Sequence, residues 1–191
     1  MADPVPAGFP PAAGIAAAGL RPLRPGDHDE LVEVYRDAVL SQTAGRYTEA
    51  QIEAWAHHPV RSGALLQPLR EGFGLASTAP APASGGGIQA AASIEAFGVL
   101  QPSDRLALLY CRGRACRQGR ASAILRALED HARRGGQGQI RTEASQLSRP
   151  LLERHGWLVE AEETVLFGGA WFLRWRMIRT LDPLSPAEFH G

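Results

Sequence analysis

The chain has 191 residues, 20 basic against 20 acidic residues and 45% hydrophobic residues, which is typical of a single compact domain with a sizeable core. All 20 basic residues are arginine, and neither lysine nor asparagine occurs. A P-loop and a Schiff-base enzyme need lysine, and a protein kinase needs both residues, so these three classes are excluded. The formal net charge of zero gives no long-range attraction to nucleic acid or to an anionic membrane.

The two cysteines, Cys111 and Cys116, lack the C-x-x-C spacing and the further ligands of a zinc site, so we expect free thiols and no metal. No stretch reaches the roughly 18 uninterrupted apolar residues of a membrane span, and the N-terminus carries no basic segment of a signal peptide. The resulting expectation is a cytoplasmic protein that binds neither nucleic acid nor membrane.

The sequence predicts an N-terminal tail followed by a strand and a helix. Residues 1–19 are mostly Ala, Gly and Pro, which predicts a disordered tail before a domain at residues 20–181. Residues 20–23 can open a strand, and Asp27 then stands as the N-cap of a helix. The apolar face of that helix comprises Leu31, Val34, Tyr35, Ala38 and Val39.

A second helix is predicted over residues 48–56. Thr48 is followed three positions later by Gln51, which is the pattern of a capping box. His57 and His58 come next, and His58 precedes Pro59. Because proline disfavours helical geometry in the residue before it, we expect an exposed turn that ends the helix there.

A hairpin is predicted in the middle of the chain. Residues 73–77 form a strand, and the Ala, Pro, Ser and Gly residues at 78–87 predict a flexible surface loop. Residues 88–100 and 104–111 then have the pattern of two strands joined by a turn at 101–103.

The remaining elements predict the fold class. A helix with Ala121, Ile124, Leu125 and Leu128 on its inner face ends near residues 135–136. A strand at 139–144, a helix at 148–155, strands at 158–166 and 171–178, and a tail at 182–191 complete the chain. This order predicts an α+β fold with a mostly antiparallel sheet flanked by helices.

One strand–turn–helix unit, residues 106–125, has features that suit a phosphate group. The turn presents free backbone N–H groups and the positive end of the helix dipole, and Arg114, Arg117 and Arg120 add charge beside them. The small residues that would let an anion approach the backbone are Gly119, Ala121, Ser122 and Ala123. The alternative is a plain solvated connection between a strand and a helix.

Six motifs extend across residues 20–181. They are Leu20-Arg-Pro-Leu-Arg-Pro-Gly-Asp27, Tyr47-Thr-x-x-Gln-Ile-x-x-Trp55, Leu108-Leu-Tyr110, Arg117-Gln-Gly-Arg-Ala-Ser-Ala123, Arg141-Thr-Glu-Ala-Ser145 and Arg149-Pro-x-x-Glu-Arg-x-Gly-Trp157. Together with the order of elements they resemble the GNAT superfamily of acetyl-CoA-dependent N-acyltransferases. The family's Gln-x-x-Gly-x-Gly/Ala loop falls on Gln118-x-x-Ala121-x-Ala123, with alanine at a position where similar proteins have glycine.

The resemblance implies a GNAT-like fold whose central strand–turn–helix unit binds acetyl-CoA. It implies that backbone amides from Gln118 to Ala123 hold the CoA pyrophosphate. It also implies that the main chain of Tyr110 and Cys111 pairs with pantetheine at a splay between two strands and polarises the thioester carbonyl. The residues assigned to the cofactor are Tyr110, Cys111, Arg117, Gln118, Gly119, Arg120, Ala121, Ser122 and Ala123.

The chain departs from the family pattern in its acid and base groups. The family often has a tyrosine as general acid where this chain has Leu151 and Leu152, and acidic residues where it has Val99 and Ala107. Glu143 remains as the candidate general base, because it lies on the strand expected to flank the acyl group. A solvated or arginine-paired carboxylate is the alternative.

The acceptor side is expected to lie around Tyr47 and Trp55, although aromatic residues at this spacing are usually part of a core. His57 and His58 could also reach this pocket. The function implied is direct transfer of an acetyl group from acetyl-CoA to the amine of a small molecule or peptide, with Cys111 as a bystander.

Three alternatives stay open. A non-catalytic CoA-binding or interaction domain would keep the scaffold without its acid and base. The seven arginines within residues 112–134 could bind nucleic acid, but no aromatic residues are interleaved with them. The aromatic last strand is explained first by core packing and second by the edge of a homodimer.

Overall fold

The computed structural model of the chain describes residues 19–79 and 92–182. The strands are β1 (Leu20–Pro22), β2 (Phe73–Thr78), β3 (Ile94–Leu100), β4 (Leu106–Cys111), β5 (Gln139–Ala144), β6 (Leu158–Phe167) and β7 (Ala170–Thr180). The helices are α1 (His28–Gln42), α2 (Glu49–Arg61), α3 (Leu66–Glu71), α4 (Arg120–Arg134) and α5 (Arg149–Arg154), with short 3₁₀ turns at Pro25–Asp27 and Gly113–Ala115. No helix within these ranges is both long enough and apolar enough to cross a membrane.

The strands form two antiparallel sheets. The first has the order β1, β2, β3, β4, and the second has the order β5, β7, β6. An isolated parallel bridge between Arg105 and Arg141 joins β4 of the first sheet to β5 of the second. The α+β class and the mostly antiparallel arrangement predicted from the sequence are therefore confirmed.

Helices cover both faces of the first sheet. On one face α4 packs through Ile124, Leu125 and Leu128 in one apolar cluster with Leu75 of β2. On the other face α1 shares a second cluster with Phe97 and Val99 of β3. Burial on both faces explains why every residue of β3 is buried. The α4 helix approaches β3 closely, since a Cβ atom at Gly98 would lie 2.7 Å from Ile124 Cγ2.

The α2 helix begins as predicted and continues further than predicted. Thr48 Oγ1 accepts a hydrogen bond from the Gln51 amide, and the Gln51 side chain accepts one from the Thr48 amide, so the capping box is confirmed. The predicted end before Pro59 is wrong, because the helix runs through this residue to Arg61. Proline at 59 cannot donate to the Trp55 carbonyl four residues earlier, and the Tyr35 hydroxyl donates to that carbonyl instead.

Three further boundaries differ from the sequence prediction. Asp27 occupies the N-cap position of α1 without capping it, because its carboxylate accepts hydrogen bonds from Arg21 and from the Arg24 amide. Thr78, predicted as the first loop residue, closes β2 opposite Ile94. The short helix α3 was not predicted. The remaining residues of the predicted tails and central loop, 1–18, 80–87 and 183–191, lie outside the described residues, as does the predicted strand start at 88–91.

Candidate functional site

The strands β4 and β5 meet at one end and separate toward the other. At the closed end, the Arg141 amide donates to the Asp104 carbonyl at 2.9 Å, and the Thr142 hydroxyl donates to the Leu106 carbonyl at 2.7 Å. Beyond Leu106, the two strands have no backbone pairing in the part of the chain that is described. The result is a V-shaped gap in the middle of the molecule.

A cleft of about 960 Å³ fills this gap and continues onto the surface. Its walls come from β4, the end of β5, the turn before α4, and the helix α5. The end of α1 and Trp55 of α2 close the remaining side. A cleft of this size, open between two strands, suits a long, narrow ligand rather than a compact one.

The peptide groups of β4 alternate between β3 and the cleft. The Arg112 amide donates to the Glu95 carbonyl of the first sheet, so the alternation of an antiparallel strand also directs the main chain of Tyr110 toward β3. The main chains of Leu109 and Cys111 consequently face the gap. Tyr110 lines the cleft, but the register directs its peptide groups toward β3, so Leu109 and Cys111 are the residues of β4 whose main chain faces the gap there. The Cys111 carbonyl accepts a hydrogen bond from Gln42 Nε2 at 2.8 Å.

The turn into α4 has the geometry expected of an anion site. Gly119 is the N-cap residue with φ +79°, a left-handed conformation that favours glycine, and Arg117 adopts φ +60° two residues earlier. The amides of Arg120, Ala121 and Ser122 form the first turn, where no helical acceptor precedes them. These three residues, with Arg117 and Gly119, line the cleft.

Two residues of the predicted cofactor set, Gln118 and Ala123, lie outside the lining of the cleft. The Ala123 amide already donates to the Gly119 carbonyl at 2.9 Å, so it is the first amide used inside the helix. The Gln118 side chain is exposed and donates to the Arg114 carbonyl at 3.0 Å. Neither residue lines the cleft. The amides of Arg120, Ala121 and Ser122, by contrast, belong to residues that line the cleft.

The three arginines of the turn have different roles. Arg114 forms an ion pair with the buried Glu95 at 2.6 Å, and this contact holds the pKa of the Glu95 carboxyl below its usual value. Arg120 donates to the Ser77 hydroxyl at 2.8 Å and to the Thr78 carbonyl at 3.0 Å, which fastens the end of β2 to the turn. Arg117 is exposed on the rim of the cleft and forms no ion pair with a described residue.

Glu143 lies on the opposite wall of the gap and is half-buried. Its Oε2 atom accepts two hydrogen bonds from Arg105, at 2.9 Å from Nε and 2.6 Å from Nη2. The partners considered from the sequence are engaged elsewhere: Arg141 with Asp104, and Arg149 with Glu153. The two bonds hold the carboxylate in one orientation on the wall of the gap.

Hydroxyl groups gather next to Glu143, at the end of β5. Ser145 Oγ and Ser148 Oγ lie 3.2 Å apart, and both residues line the cleft. The Tyr47 hydroxyl accepts a hydrogen bond from the Gln146 amide at 3.2 Å, and burial raises its pKa. The sequence placed Tyr47 in an expected acceptor pocket but did not single out Ser148, whose only signal was its place at the start of a predicted helix.

The aromatic residues between α2 and the second sheet form a small cluster. Tyr47 and Trp55 meet edge to face with ring centroids 5.3 Å apart, and both pack near Phe172 of β7. Trp55 also lines the cleft. His58 is exposed in the last turns of α2, where its ring packs edge to face on Phe167, and His57 pairs with Glu53.

The two cysteines are free and line the cleft. Burial, together with the neighbouring Cys116, raises the pKa of the Cys111 thiol to about 12. A thiol with this pKa is protonated at neutral pH and is a poor nucleophile. No group of three or more metal-ligating side chains occurs among residues 19–79 and 92–182.

The residues that depart from the family pattern lie in the core or on the wall of the cleft. Leu152 is 1% exposed and belongs to the core, and it lines the cleft together with Leu151 and Ala107. Val99 is fully buried against α1. None of these side chains can exchange a proton, whereas Glu143 and the hydroxyl groups beside it can.

The sequence matches no protein-family model and no curated protein. Solved structures match along most of the chain. A GCN5-related N-acetyltransferase from Rhodopseudomonas palustris has a TM-score of 0.73 and 22% identity, over 85% of this chain and 94% of that one. A PaiA N-acetyltransferase from Thermoplasma acidophilum, in complex with coenzyme A, has a TM-score of 0.64 and 18% identity, over 84% and 97%.

A third match is a phosphinothricin acetyltransferase from Sinorhizobium meliloti in complex with acetyl-CoA, with a TM-score of 0.54 and 16% identity, over 87% of this chain and 93% of that one. The chain is thus an α+β protein with a sheet split between two central strands. More specifically, it has the fold of the GCN5-related N-acetyltransferases.

Proposed function

We propose that the protein is an acetyl-CoA-dependent N-acetyltransferase that transfers the acetyl group directly to the amine of a small molecule or peptide. The observation that carries the proposal is the V-shaped gap between β4 and β5, with free main-chain groups on one wall, a carboxylate on the other, and helix amides at its mouth. Similar solved structures described as complexes with coenzyme A or acetyl-CoA support it.

The residues of the gap fit coenzyme A. The free amides at Arg120, Ala121 and Ser122, with Arg117 beside them, suit a pyrophosphate, because a helix start combines N–H donors with the positive end of a dipole. The main chains of Leu109 and Cys111 suit the amide groups of pantetheine, which would lie along β4 as an added strand does. When bound, acetyl-CoA supplies the activated acyl group.

Glu143 is proposed as the general base. An amine that arrives as an ammonium ion must lose a proton before it attacks a carbonyl carbon, and a carboxylate beside the gap can accept that proton directly or through water. Arg105 holds this carboxylate in one orientation. In this proposal Arg105 positions the carboxylate, and Glu143 accepts the proton.

The hydroxyl groups beside Glu143 are proposed to relay the proton that Glu143 takes from the amine to the departing thiolate. The family's tyrosine is replaced by the leucines of α5, but Ser145 and Ser148 point their hydroxyl groups at each other on the cleft wall. Tyr47 reaches the same loop. A hydroxyl group in hydrogen-bond contact with its neighbours can pass a proton without itself becoming charged.

The experiment is Glu143→Gln, assayed by thiol release from acetyl-CoA over a panel of amines and by calorimetry for acetyl-CoA binding. The shape of the side chain is kept, so binding should remain while turnover falls by roughly 10²- to 10⁴-fold. Glu163→Gln is the matched control, because Glu163 is also a half-buried strand carboxylate, bonded to Arg174 at 2.5 Å, and lies outside the cleft.

The second candidate is a non-catalytic domain that binds CoA. It is favoured by one observation, the Glu143 oxygen that already accepts two bonds from Arg105. Heat of acetyl-CoA binding without thiol release on any amine would support this candidate. Equal turnover of Glu143→Gln and Glu163→Gln would contradict the role of Glu143 as the base.

A further inference from the structure

A second, smaller cleft of about 510 Å³ lies between α4, α5 and the end of β7. Four guanidinium groups line it, from Arg126, Arg133, Arg154 and Arg179. The other lining residues are Glu129, Asp130, His155 and Gly156. The cleft is therefore lined by four positive charges against two carboxylates.

Both carboxylates already have partners. Asp130 forms an ion pair with Arg133 one helical turn away. Glu129 is 5% exposed and accepts a hydrogen bond from the Trp157 indole at 2.8 Å. Within residues 19–79 and 92–182, no carboxylate forms an ion pair with Arg126, Arg154 or Arg179. Three guanidinium groups thus remain available for an anion.

The Arg179 side chain lies against the backbone of the turn after α5. Gly156 has φ +77°, and a Cβ atom there would lie only 2.0 Å from Arg179 Nη1, so the guanidinium lies directly against the glycine. The Arg179 Nε atom is buried and has no hydrogen-bond partner among the described residues. A side chain held in place with an unused donor is suited to an incoming acceptor.

The arginines of the cleft affect the protonation of His155. Burial lowers the pKa of this histidine, and three arginines of the cleft lower it further. Its ring lies 3.0 Å from the Ser122 hydroxyl in the first turn of α4. Arg154 lines both clefts. The arginine-lined cleft therefore adjoins the larger cleft at Arg154 and lies one contact, His155 to Ser122, from the start of α4, where the proposed pyrophosphate site lies.

We propose that this cleft binds a phosphate monoester dianion, held by Arg126, Arg154 and Arg179. Two sources share this chemistry. One is the 3′-phosphate of the CoA whose pyrophosphate lies at the start of α4, and this source rests on the proposed function. The other is a separate phosphorylated molecule, which does not depend on it.

The test compares CoA, 3′-dephospho-CoA and inorganic phosphate on the full chain. The variant is Arg126→Gln, because Arg126 is exposed on α4 and its loss removes a ligand-facing charge without a buried contact. Arg134→Gln is the matched control, since Arg134 is exposed on the same helix and does not line the cleft. Affinities are measured by calorimetry, and phosphate binding is followed through the NMR signal of the Trp157 indole N–H, which contacts Glu129 of the cleft.

If the 3′-phosphate is the source, CoA should bind about tenfold or more tightly than dephospho-CoA, and Arg126→Gln should remove most of that difference while Arg134→Gln keeps it. If a separate molecule is the source, the two nucleotides should bind equally, and inorganic phosphate at constant ionic strength should shift the Trp157 signal in the parent protein and in Arg134→Gln only. Equal nucleotide affinities with no phosphate-dependent shift would overturn the proposal. Binding of dephospho-CoA in that case would leave the proposed function intact, and absence of all nucleotide binding would contradict the proposed function as well.

Discussion

The hydrogen bond from Thr142 to the Leu106 carbonyl closes the narrow end of the gap, and the substitution Thr142→Val removes it with little change in shape. The bond is 2.7 Å long, and Thr142 is 7% exposed, so water cannot easily replace the lost donor. Loss of the bond and the unpaired carbonyl together should lower the free energy of unfolding by about 1 to 2 kcal/mol. For a domain of this size that corresponds to a fall in Tm of about 2 to 8 °C.

Urea unfolding and calorimetry of acetyl-CoA binding measure the two consequences of this change. Thr164→Val is the matched control, because Thr164 is exposed on β6, and its free energy of unfolding should change by less than about 0.5 kcal/mol. The Arg141 amide still joins the strands in Thr142→Val, so the fold should survive while acetyl-CoA affinity decreases. An unfolding free energy equal to that of the parent protein would refute the reasoning that this bond holds the strands together.

Two further predictions concern charge. Arg117→Glu places a negative charge at the mouth of the gap and should lower acetyl-CoA affinity at least tenfold in calorimetry. This variant keeps the contacts to β2 that a change at Arg120 would break. An unchanged affinity would contradict an anion site at the start of α4. Burial raises the pKa of the Glu129 carboxyl in the folded protein above its value in the unfolded chain, which is about 4.3. The stabilisation that comes from the protonated carboxyl is therefore fully present below a pH of about 4.3, and it is lost as the pH rises through the pKa of the folded protein. The stability of Glu129→Gln relative to the parent protein should therefore increase between pH 4 and pH 7 in urea unfolding, and a pH-independent difference would contradict this.

Local sequence signals predicted those parts of the fold that depend on neighbouring residues. The capping box at Thr48 and Gln51 and the hairpin turn at 101–103 are set by residues within a few positions of each other. The helix through Pro59 could not be predicted in this way. Its missing hydrogen bond is replaced by Tyr35 from another helix, a partner that only the tertiary structure supplies.

The same distinction holds for the candidate site. The turn at residues 117–122 was recognisable because its glycine, arginines and small residues are consecutive. The partner of Glu143 was not, since Arg105 is 38 residues away and reaches it only through the parallel contact of β4 and β5. The arginine-lined cleft was also missed, because Arg154 of α5 and Arg179 of β7 are brought to α4 from two separate elements of the chain.

The gap between β4 and β5 also bears on how the protein avoids association with other chains. A strand edge with unpaired peptide groups is normally a place where another polypeptide can add to a sheet. Here such an edge lies in the interior, flanked by α1 on one side and α5 on the other, rather than at the outer border of the sheet. The fold can thus offer strand-like pairing to a slender ligand that carries amide groups while keeping the same edge away from extended segments of other proteins.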